Sequence, residues 1–555
     1  MMGGACSRKR DQQVNEDSGN RGIYGRYCKS GSSKWLGNSI SRLAVDNKQG
    51  KTKCPSLMEL CIYKIREDID KYSSFSMLPR DISQQIFNEL VYSQCLTEVS
   101  LGAFRDCALQ DLDLGEYPGL EDSWMDVISS QELSLLSVDL SGSDVTDSGL
   151  IHLKNCTNLQ AMNFNYSDQI SDHGLEHISG LSNLATLSFR RNNQITAQGL
   201  SVLSGLVNLL KLDLERCPGI HGGLVHLKGL TKLESLNIKC CNCITDADMK
   251  PLSGLTNLKE LQISSSKVSD YGVTFLKGLH KLSLLNMEGC PITAACLDCL
   301  AALPALLYLN LSRCNLSDDG CEKISGLTNL ETLNLDSCRI DDEGLVNLTG
   351  LQRLRCLELS DTEVGSNGLR HLAGLTSLVS INLSFTVVTD SGLKKLAGLA
   401  SLTSLNLDAR QITDAGLASL TSLTGLMHLD LFGARITDSG TNYLKNFKNL
   451  RSLEICGGGL TDAGVKNIKD LSSLTVLNLS QNNNLTDKTL ELISGLTQLV
   501  SLNVSNSRIT TAGLQHLRSL KNLKSLNLDS CKVTAYDIEK LQSTDLPNLV
   551  SFRPE

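Results

Sequence analysis

One short pattern recurs through this chain at intervals that are always 24 or 25 residues. Aligned on one apolar position, it runs Leu140, Phe164, Phe189, Leu214, Ile238, Ile263, Met287, Leu311, Leu335, Leu359, Leu383, Leu407, Leu431, Ile455, Leu479, Val504, Leu528. Seventeen copies in phase leave no room for a conventional globular core, because each unit has only its neighbours to bury against. An irregular unit at Leu109, Leu112 and Leu114 precedes them, making about eighteen in all.

Within a unit the consensus is L-x-x-L-x-L-x-x-C/S-x-I-T-D-x-G-L-x-x-L-x-x-L. The x-L-x-L-x stretch alternates with period two and predicts a short strand. A Thr or Ser follows (Thr146, Ser171, Thr245, Ser269, Thr389, Thr413, Thr461 and Thr486 among them), placed to accept a free N–H at a helix start. The Asp after it suits the positive helix end. The G-L-x-x-L segment then predicts a convex helix of two to three turns. The expected fold is therefore an α/β leucine-rich-repeat solenoid, a horseshoe with a parallel concave sheet and convex helices. It offers a long surface and no enclosed pocket, which favours binding over chemistry.

The chain divides by composition. Residues 1–53 are rich in Ser, Gly, Asn, Lys and Arg and predict a disordered basic arm. Residues 54–93 predict two helices, one starting at Ser56 and one after Pro79, as an N-terminal cap. The solenoid spans 94–540, with its first irregular turn and strand expected near Leu96, Val99 and Leu101. Residues 541–555 predict a C-terminal cap.

Charge is unevenly spread. Residues 1–53 carry eleven Lys/Arg against four Asp/Glu, a local +7 that leaves −15 on the remainder of a chain whose net charge is −8. An acidic repeat body is a poor partner for nucleic acid, which needs a basic face. The basic head suits an anionic membrane surface. Twenty cysteines without an apolar leader point to an intracellular, reducing compartment and free thiols. Six of them, Cys217, Cys241, Cys290, Cys314, Cys338 and Cys531, fall three residues after the aligned position. In that slot a small buried polar group caps the turn. Cys240–Cys243 and Cys296–Cys299 lie two repeats apart, so no metal site is expected.

The residue between the two strand apolar positions faces the concave side and is Asn in ten repeats, from Asn163 to Asn527. At a strand spacing of about 4.8 Å these amides could form a lateral ladder. Departures from it are the candidate partner contacts. One is a basic cluster of Arg190, Arg191, Lys211, Arg216 and Lys239; the other groups Phe385, His428 and Phe432. Aromatic and Arg side chains are the types that anchor interfaces.

The repeat resembles the cysteine-containing repeats of F-box leucine-rich-repeat proteins and of plant intracellular repeat proteins. It lacks the G-x-I-P segment of plant receptor ectodomains. Upstream, Ser56-Leu57-x-x-x-Cys61-x-x-x-Ile65 matches an Elongin-C-binding box, and Leu78-Pro79-x-x-Ile82-x-x-x-Ile86 the adjoining cullin box. Together, immediately before leucine-rich repeats, they look like the Zyg/Zer family of substrate receptors for cullin-RING ubiquitin ligases. The resemblance implies that Leu57, Cys61 and Ile65 engage Elongin C and that Leu78, Pro79, Ile82 and Ile86 face the cullin. The alternative is that these helices only seal the open edge of the first repeat. Leu-Pro-Arg-Asp-Ile also opens an F-box, but the stretch from Leu78 to a strand near Leu96 is too short for one.

At the N-terminus, Met2-Gly-Gly-Ala-Cys-Ser7 fits myristoylation of Gly3 and palmitoylation of Cys6, with Arg8-Lys-Arg10 beside them, provided translation starts at Met2. That arrangement implies the cytoplasmic face of the plasma membrane; without acylation the expected place is the cytoplasm. Enzyme signatures fail. Gly50-Lys51-Thr52 lacks the glycine of a phosphate loop, since position 45 is Val, and the nine His are scattered without paired spacing. No catalytic residue and no cofactor is expected. Two functions follow: an adaptor that links a protein held on the concave face to a ubiquitin ligase, or a lipid-anchored scaffold in signalling or immune regulation.

Overall fold

The computed structural model describes residues 55–408 and 410–553. They form two compact units, one ending at Asp113 and the other beginning at Leu114.

In the first unit, helix α1 spans Leu57–Glu67. Ser56 caps it, accepting from the Glu59 N–H while the Glu59 side chain returns to the Ser56 N–H, so two free donors are satisfied. Helix α2 spans Arg80–Tyr92 and follows Pro79, which presets an extended entry. Arg66 joins the helices through Glu89 at 2.6 Å. Phe87 meets Phe104 edge-on at 5.5 Å, and Phe75 packs on Phe104 at 4.9 Å. The first strand lies later than the sequence suggests. Thr97 and Ser100 close a second capping box, which turns Glu98–Leu101 into a helix instead of a strand, and the first strand is Asp111–Asp113. Gln84 of α2 receives the Gln110 N–H at 2.9 Å and donates to the Asp111 carbonyl at 2.7 Å. A side-chain amide thus does the hydrogen bonding that a preceding strand would have done.

The second unit carries strands from Ser137–Asp139 to Ser551–Arg553, each three residues long, paired in parallel with the next in chain order. Register is one-to-one: Leu309, Leu333, Leu357, Ile381, Leu405, Leu429 and Leu453 form one line of opposed central residues, all of them buried. The helical segments differ from expectation. They are short and mixed, α turning into 3-10 at Asp147–Leu150 and Ile151–Leu153, or wholly 3-10 at Gly199–Gly205 and Gly344–Leu348. A 24-residue repeat that also holds a strand and two turns has too few residues for a longer α-helix, and 3-10 winding covers more length per residue. The expected C-terminal cap is itself a final coil, helix Ala535–Thr544 leading to strand Ser551–Arg553.

Two side-chain devices lock successive repeats. The six predicted thiols each donate to a carbonyl one repeat back: Cys217 to Phe189, Cys241 to Leu214, Cys290 to Ile263, Cys314 to Met287, Cys338 to Leu311 and Cys531 to Val504, at 3.1–3.4 Å. Asn192 and Asn482 fill the same slot, donating to Ser167 and Ile455. The T-D motif does more than cap its own helix. Asp147 accepts both the N–H and the hydroxyl of Ser171 in the next repeat, at 2.7 and 2.5 Å. Asp172, Asp390, Asp438 and Asp462 repeat the arrangement with Thr196, Thr413, Thr461 and Thr486.

Candidate partner-binding surfaces

The strand face is built from side chains that alternate outward along each short strand. The Asn row is not a lateral ladder. Each amide oxygen turns back onto its own chain and accepts the N–H two residues on, from Asn163 to Asn165 at 3.1 Å through Asn310 to Ser312 at 2.9 Å to Asn527 to Asp529 at 2.9 Å. This local bond satisfies a donor as the strand ends, and it claims the oxygen that a ladder would need. Lateral contacts run instead from amide to carboxylate: Asn163 to Asp139, Asn237 to Glu215 and Asn478 to Glu454.

The slot three residues beyond the Asn row turns the chain with positive φ, and Gly142, Gly289, Gly433 and Gly457 occupy it in four repeats. Arg191, Arg216 and Phe385 hold the same conformation, at φ 56°, 59° and 56°. Holding a residue other than glycine there costs about 1–3 kcal/mol, and it aims those side chains at the strand-face rim.

The basic cluster does come together, but its charge is largely answered. Arg190 lies 2.8 Å from Glu215 and 3.6 Å from Asp213. Arg191 stacks over the Tyr166 ring at 5.4 Å. Lys211, Arg216 and Lys239 are half-buried among these acids. Burial raises the Asp213 carboxyl above its ordinary value, and the Arg190 charge opposes that rise.

The aromatic group is more open. Phe385 is 67% exposed, His428 is exposed and Phe432 half-buried. Register puts two strand spacings between the Phe385 repeat and the one that carries His428 and Phe432. Between and beside them lie acids that sequence reasoning passed over. Asp430 sits directly opposite Glu454 on the next strand. Burial first, then the Glu454 charge, push Asp430 up to about 7. Burial likewise pushes Glu358 up to about 7, with Asp336 adding to it. The signal was present: these are repeats in which a carboxylate replaces Asn in the row.

The helical candidates separate by exposure. Leu57 is 78% exposed, Cys61 is exposed, and Ile65 is half-buried; only Ile62 of α1 is buried. Leu78 and Pro79 are exposed and Ile82 half-buried, whereas Ile86 is 1% exposed and belongs to the core with Phe87 and Leu90. The spacing that put Ile86 on the face of Ile82 could not tell which face turns inward. Gly3 and Cys6 lie outside the described residues. Among the described residues no group of three or more His, Cys, Asp or Glu is placed to hold a metal, and no helix is long and apolar enough to cross a membrane.

Family models agree with this geometry. A leucine-rich repeat region model matches residues 272–463, and leucine-rich repeat models match 231–292, 448–509 and 133–153. No curated protein matches the chain. Among solved structures, the mouse RP105/MD-1 complex is 18% identical, covering 81% of this chain and 84% of its own, with a TM-score of 0.50. A leucine-rich-repeat protein of Leptospira interrogans is 22% identical over 84% of this chain and 98% of its own, with a TM-score of 0.43. An internalin of Listeria monocytogenes is 23% identical over 76% and 88%, with a TM-score of 0.31. At such identities the likeness speaks to fold alone. That fold, a leucine-rich-repeat solenoid, supports a protein–protein interaction role.

Proposed function

We propose that the chain is a substrate-recognition adaptor: the strand face takes up a protein, and the N-terminal helices connect it to a ubiquitin ligase through Elongin C and a cullin. The observation that carries this reading is the division of labour between the two helices. Helix α2 seals the Asp111–Asp113 strand through Gln84 and buries Ile86, Phe87 and Leu90. Helix α1 buries only Ile62 and leaves Leu57 and Cys61, one turn apart, facing solvent. A helix needed only as a cap has no reason to present an apolar turn to water, and such a turn suits insertion into a partner groove. Leu78, Pro79 and Ile82 would supply the cullin side, without the buried Ile86.

Affinity purification of the wild type beside Leu57→Ala/Cys61→Ala is the test. Elongin C and a cullin recovered with the wild type and lost with the variant support the adaptor. Their absence from both preparations sinks it. A second reading, a lipid-anchored scaffold at the plasma membrane, rests on the Met2-Gly-Gly-Ala-Cys-Ser7 motif and its basic neighbours. Gly3→Ala should then release the protein to the soluble fraction; a wild type already soluble ends that reading.

A further inference from the structure

We propose that the strand face between the Phe385 and Glu454 repeats is a docking site for an extended, basic segment of a partner polypeptide, with a Lys or Arg seated over Asp430 and Glu454 and an apolar residue against Phe385. The inference rests on the reading that the strand face takes up a protein and specifies what kind.

Three independent features meet there. The first is charge without local compensation. Asp430 and Glu454 are opposed across adjacent strands, and like charges so placed repel. Asp408, on the preceding repeat, adds its charge to both. Burial raises the Asp408 carboxyl and Arg410 opposes that rise, whereas the charges acting on Asp430 are the two neighbouring carboxylates. The basic cluster at Arg190 differs in kind: there Asp213 and Glu215 both face the Arg190 guanidinium. The Phe432 N–H on Asp430 and the Asn478 amide on Glu454 ease this repulsion in part, and a cation from outside would relieve the rest.

The second feature is the aromatic. Phe385 occupies the positive-φ slot that most other repeats fill with Gly or a polar or charged residue, Tyr166 being the other aromatic, and two-thirds of it faces solvent. A hydrophobic ring held there gains nothing from the solenoid core. Phe432, half-buried, is a second aromatic two residues beyond Asp430, whose carboxylate accepts its backbone N–H at 2.9 Å.

The third is span. From the Phe385 repeat to the Glu454 repeat is three strand spacings, about 14 Å, which about five residues of extended chain cover. An extended segment laid across the strands puts successive same-side residues about 7 Å apart. One such residue reaches Phe385 and a later one reaches the Asp430–Glu454 pair. A nucleic acid is excluded by the sign of the charge, and a neutral apolar segment would cover the acids without supplying a countercharge.

The test is fluorescence anisotropy on the full chain with labelled decapeptides. One alternates Lys with Leu; a second alternates Glu with Leu. The Lys peptide should bind the wild type, and Asp430→Asn/Glu454→Gln should weaken it at least tenfold. Phe385→Ser, at an exposed position, should weaken it several-fold, whereas Lys228→Ala, exposed and in a distant repeat, should leave it unchanged. The Glu peptide should not bind. No binding of the Lys peptide overturns the proposal. So does equal binding by wild type and both variants, which would mean attraction to the net negative surface at large. A protein client that the wild type retains but that ignores these substitutions removes this site while leaving the adaptor reading intact. Failure to recover Elongin C and a cullin with the wild type ends the adaptor reading and leaves this one standing.

Discussion

Each aspartate of the T-D-x-G motif works in two repeats at once, and that explains the glycine as well. The carboxylate of Asp147 crosses to Ser171, and a Cβ added to Gly174 would collide with it and crowd Leu150. Asp172 stands in the same relation to Gly199, and Asp414 to Gly440. Glycine is therefore required by a neighbour's side chain, not by its own φ. Gly174→Ala should lower the melting temperature by the few degrees that about 1–3 kcal/mol of overpacking gives, whereas Gly180→Ala, with open space at its Cβ, should change it little. Equal effects in a thermal melt would remove the aspartate from the account. A pH dependence belongs at the same scale. Burial holds Glu358 and Asp430 near 7, above ordinary carboxylates, so the folded chain binds protons that the unfolded chain releases. Stability from these groups is present below the ordinary carboxylate range and is lost as pH rises through about 7. The melting temperature should accordingly be higher at pH 5.5 than at pH 8, and Glu358→Gln/Asp430→Asn should flatten that difference. An unchanged slope in the variant would contradict the assignment.

At the scale of the element, the two N-terminal helices give opposite answers to the same kind of substitution. Ile62 is the residue by which α1 is held, at 7% exposure, while Leu57 is open. Ile62→Ser should release α1 and expose it to limited proteolysis, because a buried aliphatic side chain contributes roughly 1.5–3 kcal/mol. Leu57→Ser should leave the cleavage pattern unchanged. Protection that depended on Leu57 would return α1 to a purely capping role. Much of this element was legible in advance. The serine start, the Pro79 entry and the apolar spacing located both helices, since caps and prolines act within one turn and need no tertiary context. The inward face was not legible, because Ile82 and Ile86 look alike in sequence, and only the packing of neighbouring Phe87 on Phe104 shows which side of the helix turns inward. The strand expected near Leu96 failed for a related reason: Thr97 and Ser100 cap locally, and a local bond forms before a strand finds its neighbour. On the strand face, the same preference for local bonding turned the Asn row inward. The acid pair at Asp430 and Glu454 became visible only when register set one against the other.

At the scale of the repeat array, the elements in substantial contact belong to the same or to neighbouring repeats, which governs how the second unit comes apart. Leu357 sits mid-array with Leu333 on one side and Ile381 on the other, and a defect there severs the only connection between the flanking repeats. A solenoid behaves as a chain of units coupled to nearest neighbours, so cooperativity persists only while each interface outweighs the instability of a single repeat. Leu357→Asp buries an unpaired carboxylate in that line, a cost of several kcal/mol. The expected result is a urea melt that splits into two transitions of lower slope, with proteolysis in between yielding a resistant fragment on at least one side of residue 357. The same substitution at Leu526, beside the last strand, should leave one main transition, because few repeats lie beyond it. A single transition of unchanged slope for Leu357→Asp would mean that coupling reaches past neighbouring repeats. The inter-repeat aspartate bonds, repeated along the convex side from Asp147 to Asp487, would then be the structure to examine for it.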